Sequence, residues 1–175
     1  MRLANNHEDS YRHKSDTFQI AKVARDQVAQ LKIAIVVSRF NTDITSTLYN
    51  ATYEKLIELG LESSNINTTW CPGAFEIPVI AKSLADTGKY DTIISLGAVI
   101  RGETWHFELV ANQCAVGIMN AATATKVPII FGVLATDNLQ QAIERSSKDH
   151  FDTGSVAAES AVEMALKIKE ITHQK

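Results

Sequence analysis

The order of apolar and helical segments predicts a three-layer α/β/α sandwich built on a four-stranded parallel core sheet. Four short extended segments, LKIAIVV, INTTW, DTIISLGAVI and PIIFGVL, are each followed by a stretch with helical spacing. Strands that alternate with helices pair in parallel, because each crossover must return over one face of the sheet. The first, third and fourth segments also run apolar without polar alternation, the pattern of strands covered on both faces.

Taken in order, residues 1–17 (MRLANNHEDSYRHKSDT) are polar and of mixed charge, without the apolar centre of a signal peptide. They read as a flexible tail, and Glu8, Asp9 and Asp16 make them a poor transit peptide. Residues 18–175 then form a single domain, a size that buries a sizeable core without staples. Within it, 18–30 (TFQIAKVARDQVA) fits either an extra edge strand or an extended arm. The first strand starts at Leu31, and SRFNTD breaks it. Ile44, Leu48, Ala51, Leu56 and Leu59 mark a helix, with Asp43 as its expected N-cap and Gly60 as its stop.

The same unit returns three times. INTTW leads through CPGAF to the helix EIPVIAKSLADTG, and DTIISLGAVI leads through RGET to a long helix from about Trp105 to Thr125. PIIFGVL leads through ATDN to LQQAIERS. A final helix places Ala157, Ala161, Met164, Ala165 and Ile168 on one face.

Composition narrows function. Charged residues make up 21% of the 175 and the net charge is −3. No basic field invites nucleic acid, and a negatively charged ligand must be bound locally. No apolar stretch approaches the length of a membrane span. Cys71 and Cys114 lack CxxC or Cys/His spacing, so neither a disulfide framework nor a zinc site is indicated, and reduced cytoplasm is the expected location. GxGxxG, GxxxxGK[ST] and GxSxG are absent, and the H-x-E of His106 and Glu108 lacks the PCxxC of a zinc deaminase. No cofactor and no metal is expected.

In an open parallel sheet ligands bind beyond the carboxyl ends of the strands, which selects SRFN, CPGAFE, RGETWH and ATDN. Phe40 reads equally as a core aromatic or as a platform for a planar ligand. PGAFE is turn chemistry that leaves the amides of Ala74 and Phe75, and Glu76, near a helix start. Gly102, Glu103 and Thr104 put free amides at the N-terminus of the long helix, a ready anion site, although Thr104 as an ordinary N-cap accounts for the same letters. Arg145 offers a planar fork to the same anion, or is a solvated helix end. His106 stands in the first turn of the long helix, where a neutral imidazole can accept a proton.

Together SRFN, PGAFEIP, LGAVIRGETWHFE and PIIFGVLATDNLQQAIER closely resemble the 6,7-dimethyl-8-ribityllumazine synthase family, from about Lys32 to the last helix. The resemblance implies a flavodoxin-like sandwich and a cofactor-free condensation of 5-amino-6-(D-ribitylamino)uracil with 3,4-dihydroxy-2-butanone 4-phosphate. It implies that Phe40 stacks on the pyrimidine, that Ala74, Phe75 and Glu76 hold the ribityl chain, and that Ala98, Val99 and Ile100 line the uracil. It further implies that Glu103, Thr104 and Arg145 bind the phosphate-bearing substrate and that His106 moves protons. Phe131 matches a contact the family supplies across a subunit boundary, in pentamers that some members close into hollow icosahedral shells. The small residues Ala111, Ala115, Gly117, Ala121, Ala122 and Ala124 of the long helix suit close packing round an axis, or simply a monomer interior.

One departure stands out. Asp152 to Gly154 read DTG where many relatives have NKG, so Thr153 replaces a lysine near the phosphate and Lys148 lies out of register. Two other readings stand beside the enzyme: a flavin- or lumazine-binding module without catalysis, and a shell protein whose role coexists with catalysis. A mere binder has no need of His106, Arg145 and an anion loop together.

Overall fold

In a computed structural model, residues 25–173 are described. The expected tail at 1–17 and the ambiguous stretch 18–24 lie outside them. The chain runs α1 (Arg25–Ala29), β1 (Ile33–Ser38), α2 (Thr42–Glu58), β2 (Ile66–Cys71), α3 (Ile77–Asp86), β3 (Thr92–Ile100), α4 (His106–Thr125), β4 (Ile129–Thr136), α5 (Leu139–Ser146) and α6 (Thr153–His173). All strand pairs are parallel and the sheet order is β2-β1-β3-β4. The fold is therefore the three-layer flavodoxin-like sandwich.

Every residue of β1 is buried, because it is central and covered on both sides. Its alternating side chains feed two cores. Ile33, Ile35 and Val37 join Ile94 and Leu96 of β3 beneath α1, α2, α5 and α6, whereas Ala34 and Val36 join Ile93 and Val133 beneath α3 and α4. A fully buried leucine such as Leu48 contributes roughly 2 kcal/mol in transfer free energy alone.

Several local expectations need correction. Residues 25–29 form a helical turn, not an edge strand or an extended arm, and Val28 anchors it in the core. The N-cap of α2 is Asn41 and not Asp43; Asn41 sits in the left-handed region at φ 59 and sends its side chain elsewhere, while Asp43 supports the first turn by its charge. Met164 is 40% exposed and leaves the core face of α6, which Ala158 and Val162 occupy beside Ala157, Ala161 and Ala165. Gly60 does end α2, at φ +101.

The letters DTG have a packing role. Asp152 adopts φ 44 and its carboxylate accepts from Ser155 N at 3.3 Å, which ties down the start of α6. At Gly154 a β-carbon would stand 2.6 Å from Leu48 O of α2, so only glycine lets the two helices meet there. Thr52 Oγ1 donates to Gly154 O at 2.9 Å across the same contact.

Candidate active site

The loops beyond the carboxyl ends of the strands are sewn to one another by backbone hydrogen bonds. Arg39 N donates to Cys71 O at 2.8 Å and Phe40 N to Pro72 O at 3.1 Å, so the loop after β1 follows the turn after β2. Asn41 Nδ2 donates to Ala98 O at 2.9 Å, tying the same loop to β3. The left-handed backbone of Asn41 turns the chain there. Phe40 is thereby held out of the core, 71% exposed, so it is not a core aromatic.

The turn after β2 is equally fixed. Cys71 Sγ donates to Gly73 O at 3.4 Å and Glu76 N to the same oxygen at 3.3 Å. Residues 74–76 form one 3₁₀ turn leading into α3, with Pro78 at its start, where the missing N–H costs nothing. Burial pushes the Cys71 thiol up, with Glu76 adding to the effect.

These loops and the start of α4 enclose a cavity of about 620 Å³, a size suited to a small organic ligand. Phe40, Ala74, Phe75, Glu76, Ala98, Val99, Ile100, Thr104 and His106 all line it, with Gly73 and Gly102. An exposed aromatic plate, an apolar strand end and an imidazole thus share one concave surface. His106 is the first residue of α4, and its amide lies 3.4 Å from Thr104 Oγ1. The N-cap position falls to Trp105, which makes no side-chain bond, so Thr104 stands one residue ahead of the cap.

Three expected site residues lie elsewhere. Glu103 is exposed and does not line the cavity. Phe131 projects from edge strand β4, 48% exposed. Arg145 lies in the last turn of α5, its guanidinium 5.0 Å above the ring of Phe151. That ring is folded back by Phe151 N donating to Glu144 O at 3.4 Å and Asp152 N to Ser147 O at 3.0 Å. Lys148 pairs with Glu54 of α2, and Thr153 begins α6, so neither adds charge to the cavity.

Sequence reading missed Phe107, Leu109 and Val110, which also line the cavity. The signal was present: 106, 109 and 110 share one face of a helix, and that face is apolar except for the imidazole. Arg101 was missed as well. Its guanidinium donates through Nε to Asp137 at 2.8 Å and through Nη1 to Glu108, and lies 4.3 Å from the Phe107 ring centre. Hydrogen bonds to Asp137 and Glu108 raise its pKa, and Arg101 in turn holds the Glu108 carboxyl below its usual range.

Fold and cavity together define a parallel α/β protein with a cavity of small-molecule size at the carboxyl edge of its sheet. The chain belongs to the 6,7-dimethyl-8-ribityllumazine synthase family, whose model matches residues 30–169. That places it in a family of transferases of riboflavin biosynthesis.

Proposed function

We propose that the protein condenses 5-amino-6-(D-ribitylamino)uracil with 3,4-dihydroxy-2-butanone 4-phosphate to 6,7-dimethyl-8-ribityllumazine, releasing phosphate and water. The observation that carries this reading is the single cavity in which Phe40, the β3 end and His106 converge. Phe40 stacks on the pyrimidine, whose edge lies along Ala98, Val99 and Ile100. Ala74, Phe75 and Glu76 hold the ribityl chain, with the Glu76 carboxylate accepting from its hydroxyls. The phosphate of the second substrate sits at the Gly102–Thr104 amides, flanked by Glu103, where the dipole of the 20-residue α4 favours an anion.

The chemistry follows from the substrates. The pyrimidine amine adds to the butanone carbonyl and a first water leaves; the phosphate departs with the electron pair of its C–O bond, the enol left behind becomes a ketone, and the ribityl nitrogen adds to that carbonyl and expels a second water as the ring closes. His106 receives and returns the protons of these steps. Holding two substrates in reacting geometry supplies much of the acceleration.

Arg145 and Phe131 stand outside the cavity of their own chain, so the reading includes a pentamer or a multiple of five. Phe131 of the partner subunit then completes each site, and Arg145 reaches the phosphate in the assembled state. Trp105, 80% exposed, with Val79 and Met119, each 63% exposed, are apolar surface suited to such contacts. Ala115 and Ala124 face outward, but Gly117 is used within the chain: a β-carbon there would lie 2.7 Å from Pro78 of α3.

Mixing both substrates with the purified protein and following lumazine absorbance tests the reaction. A folded protein that binds the pyrimidine yet forms no lumazine is a binding module, and the proposal fails.

A further inference from the structure

We infer that Arg101 is a positioning residue for this reaction: it fixes the first turn of α4, and with it His106 and the phosphate-binding amides, against the ends of β3 and β4. The inference rests on the function proposed above. Arg101 does not itself line the cavity; its backbone N donates to Thr136 O at 2.9 Å, so its own main chain is anchored to the last residue of β4. From that anchor the guanidinium reaches two carboxylates on different segments. Glu108 belongs to the first turn of α4, and Asp137 opens the loop after β4, where its own N–H donates to Gln141 Oε1 at 2.9 Å. The face of the fork also covers Phe107, which is a wall of the cavity and the neighbour of His106.

Three segments therefore converge on one planar cation. The N-cap Trp105 makes no side-chain bond and the Thr104 hydroxyl accepts only a long one, 3.4 Å, from His106 N, so this clamp is the main side-chain tie on the first turn of α4. An exposed ion pair ordinarily adds little to stability, and the role here is geometric: a misplacement of about 1 Å at a reacting group costs on the order of 100-fold in rate. A lysine is no substitute, because a point charge cannot span both carboxylates while lying on the ring.

A purely electrostatic role makes a different prediction. The cluster of Arg101, Glu108 and Asp137 carries a net charge of −1 close to the phosphate loop. Neutralising Glu108 removes one negative charge, so on charge alone Glu108→Ala and Glu108→Gln should both tighten the butanone phosphate equally. Positioning separates the two variants, since glutamine keeps a carbonyl acceptor for the guanidinium and alanine does not.

The experiment measures kcat and both KM values for the full chain and for Glu108→Ala, Glu108→Gln and Arg101→Lys. It adds hydrogen exchange at the amides of residues 102–107. The expected result is a fall in kcat of about 10-fold or more for Glu108→Ala and Arg101→Lys with the pyrimidine KM little changed, and recovery to within about threefold in Glu108→Gln. Exchange at 102–107 should quicken in the first two variants only. Equal kcat and equal exchange in the alanine and glutamine variants would overturn the inference. Wild-type protein that makes no lumazine overturns the proposed function instead, and the exchange comparison still decides whether Arg101 holds the turn.

Discussion

The two faces of the sheet are built to different standards. Beneath α1, α2, α5 and α6 lie Leu31, Ile33, Ile35, Leu48, Leu56, Ile94 and Leu96, all fully buried, and Lys55 of α2 bridges to Glu159 of α6 at 3.1 Å. Among the largest fully buried side chains only Ile77, Ile93 and Val36 belong to the α3–α4 side. There the helices cover the sheet with Ala81, Ala85, Cys114 and Ala121, and the strands contribute Ser38 and Ser95, whose buried hydroxyls have no protein partner among the described residues. A buried polar group without a partner costs on the order of 1–3 kcal/mol. The first core is the larger in buried apolar residues. The second carries less apolar bulk and borders the cavity at the carboxyl edge of the sheet.

The function proposed above has a partner subunit complete the cavity at the edge of the second face. The largest effect should come from breaking assembly: dilution to monomers abolishes lumazine formation while far-ultraviolet circular dichroism stays nearly constant, because the first face supports each chain. A monomer fully active by sedimentation and assay would overturn both the shared site and the functional half of the comparison.

Next in size are the side chains of the open edge. His106→Ala should slow turnover by about 10- to 1,000-fold without abolishing it, since positioning remains. Arg145→Ala should raise the KM for the butanone phosphate by at least about 10-fold and leave that for the pyrimidine almost unchanged, because the amide loop cannot replace a charge-assisted fork. Equal losses for both substrates would make Arg145 a structural residue, held on Phe151 for packing alone.

How much of this was legible follows the same division. The strands and their helices could be read because apolar runs and helical spacing depend on local sequence, and Phe40, the PGAFE turn and His106 fell at loop positions the topology dictates. The residues that sequence misplaced depend on contacts between distant segments. Asp43 looked like a cap because it precedes the apolar spacing, but Asn41 takes that place while bonding to Ala98 O, 57 residues away. The Arg101 clamp joins positions 101, 108 and 137, a grouping visible only once β3 and β4 lie side by side. Phe131 and Arg145 lie outside the cavity of their own chain, and the proposed function brings them to it from the assembled state.

A smaller effect comes from tightening each face by one methyl group. Gly154→Ala places a β-carbon 2.6 Å from the Leu48 carbonyl and 2.8 Å from Ala51 Cβ, against helix backbone that cannot yield locally. It should cost about 1–3 kcal/mol, seen as a lowered thermal midpoint. Gly117→Ala places a β-carbon 2.7 Å from the rigid ring of Pro78, in the first turn of α3, but gains helix propensity of about 1 kcal/mol in the middle of α4. That gain offsets part of the overpacking cost, so the loss should be smaller than at Gly154 by about 1 kcal/mol. The reverse order would mean that the α3–α4 face is the more rigid one.

The smallest expected effect concerns the thiols, which lie only on the α3–α4 face among the described residues. Burial pushes the Cys114 thiol up to about 12, with the charge of Cys71 adding to the shift, and Cys71 is itself raised by burial. A thiol raised in the folded state favours the fold while it is protonated. Its contribution is therefore complete below the ordinary thiol range near about 8.5 and declines as pH rises from there towards 12. Between pH 8 and pH 10 wild-type protein should lose up to about 1–2 kcal/mol more stability than Cys114→Ala, by urea unfolding at each pH. Lysine and tyrosine titrations are common to both proteins and cancel in that difference. Parallel losses would show that α4 lets the thiolate reach water without unfolding, and so that this face opens locally where the other does not.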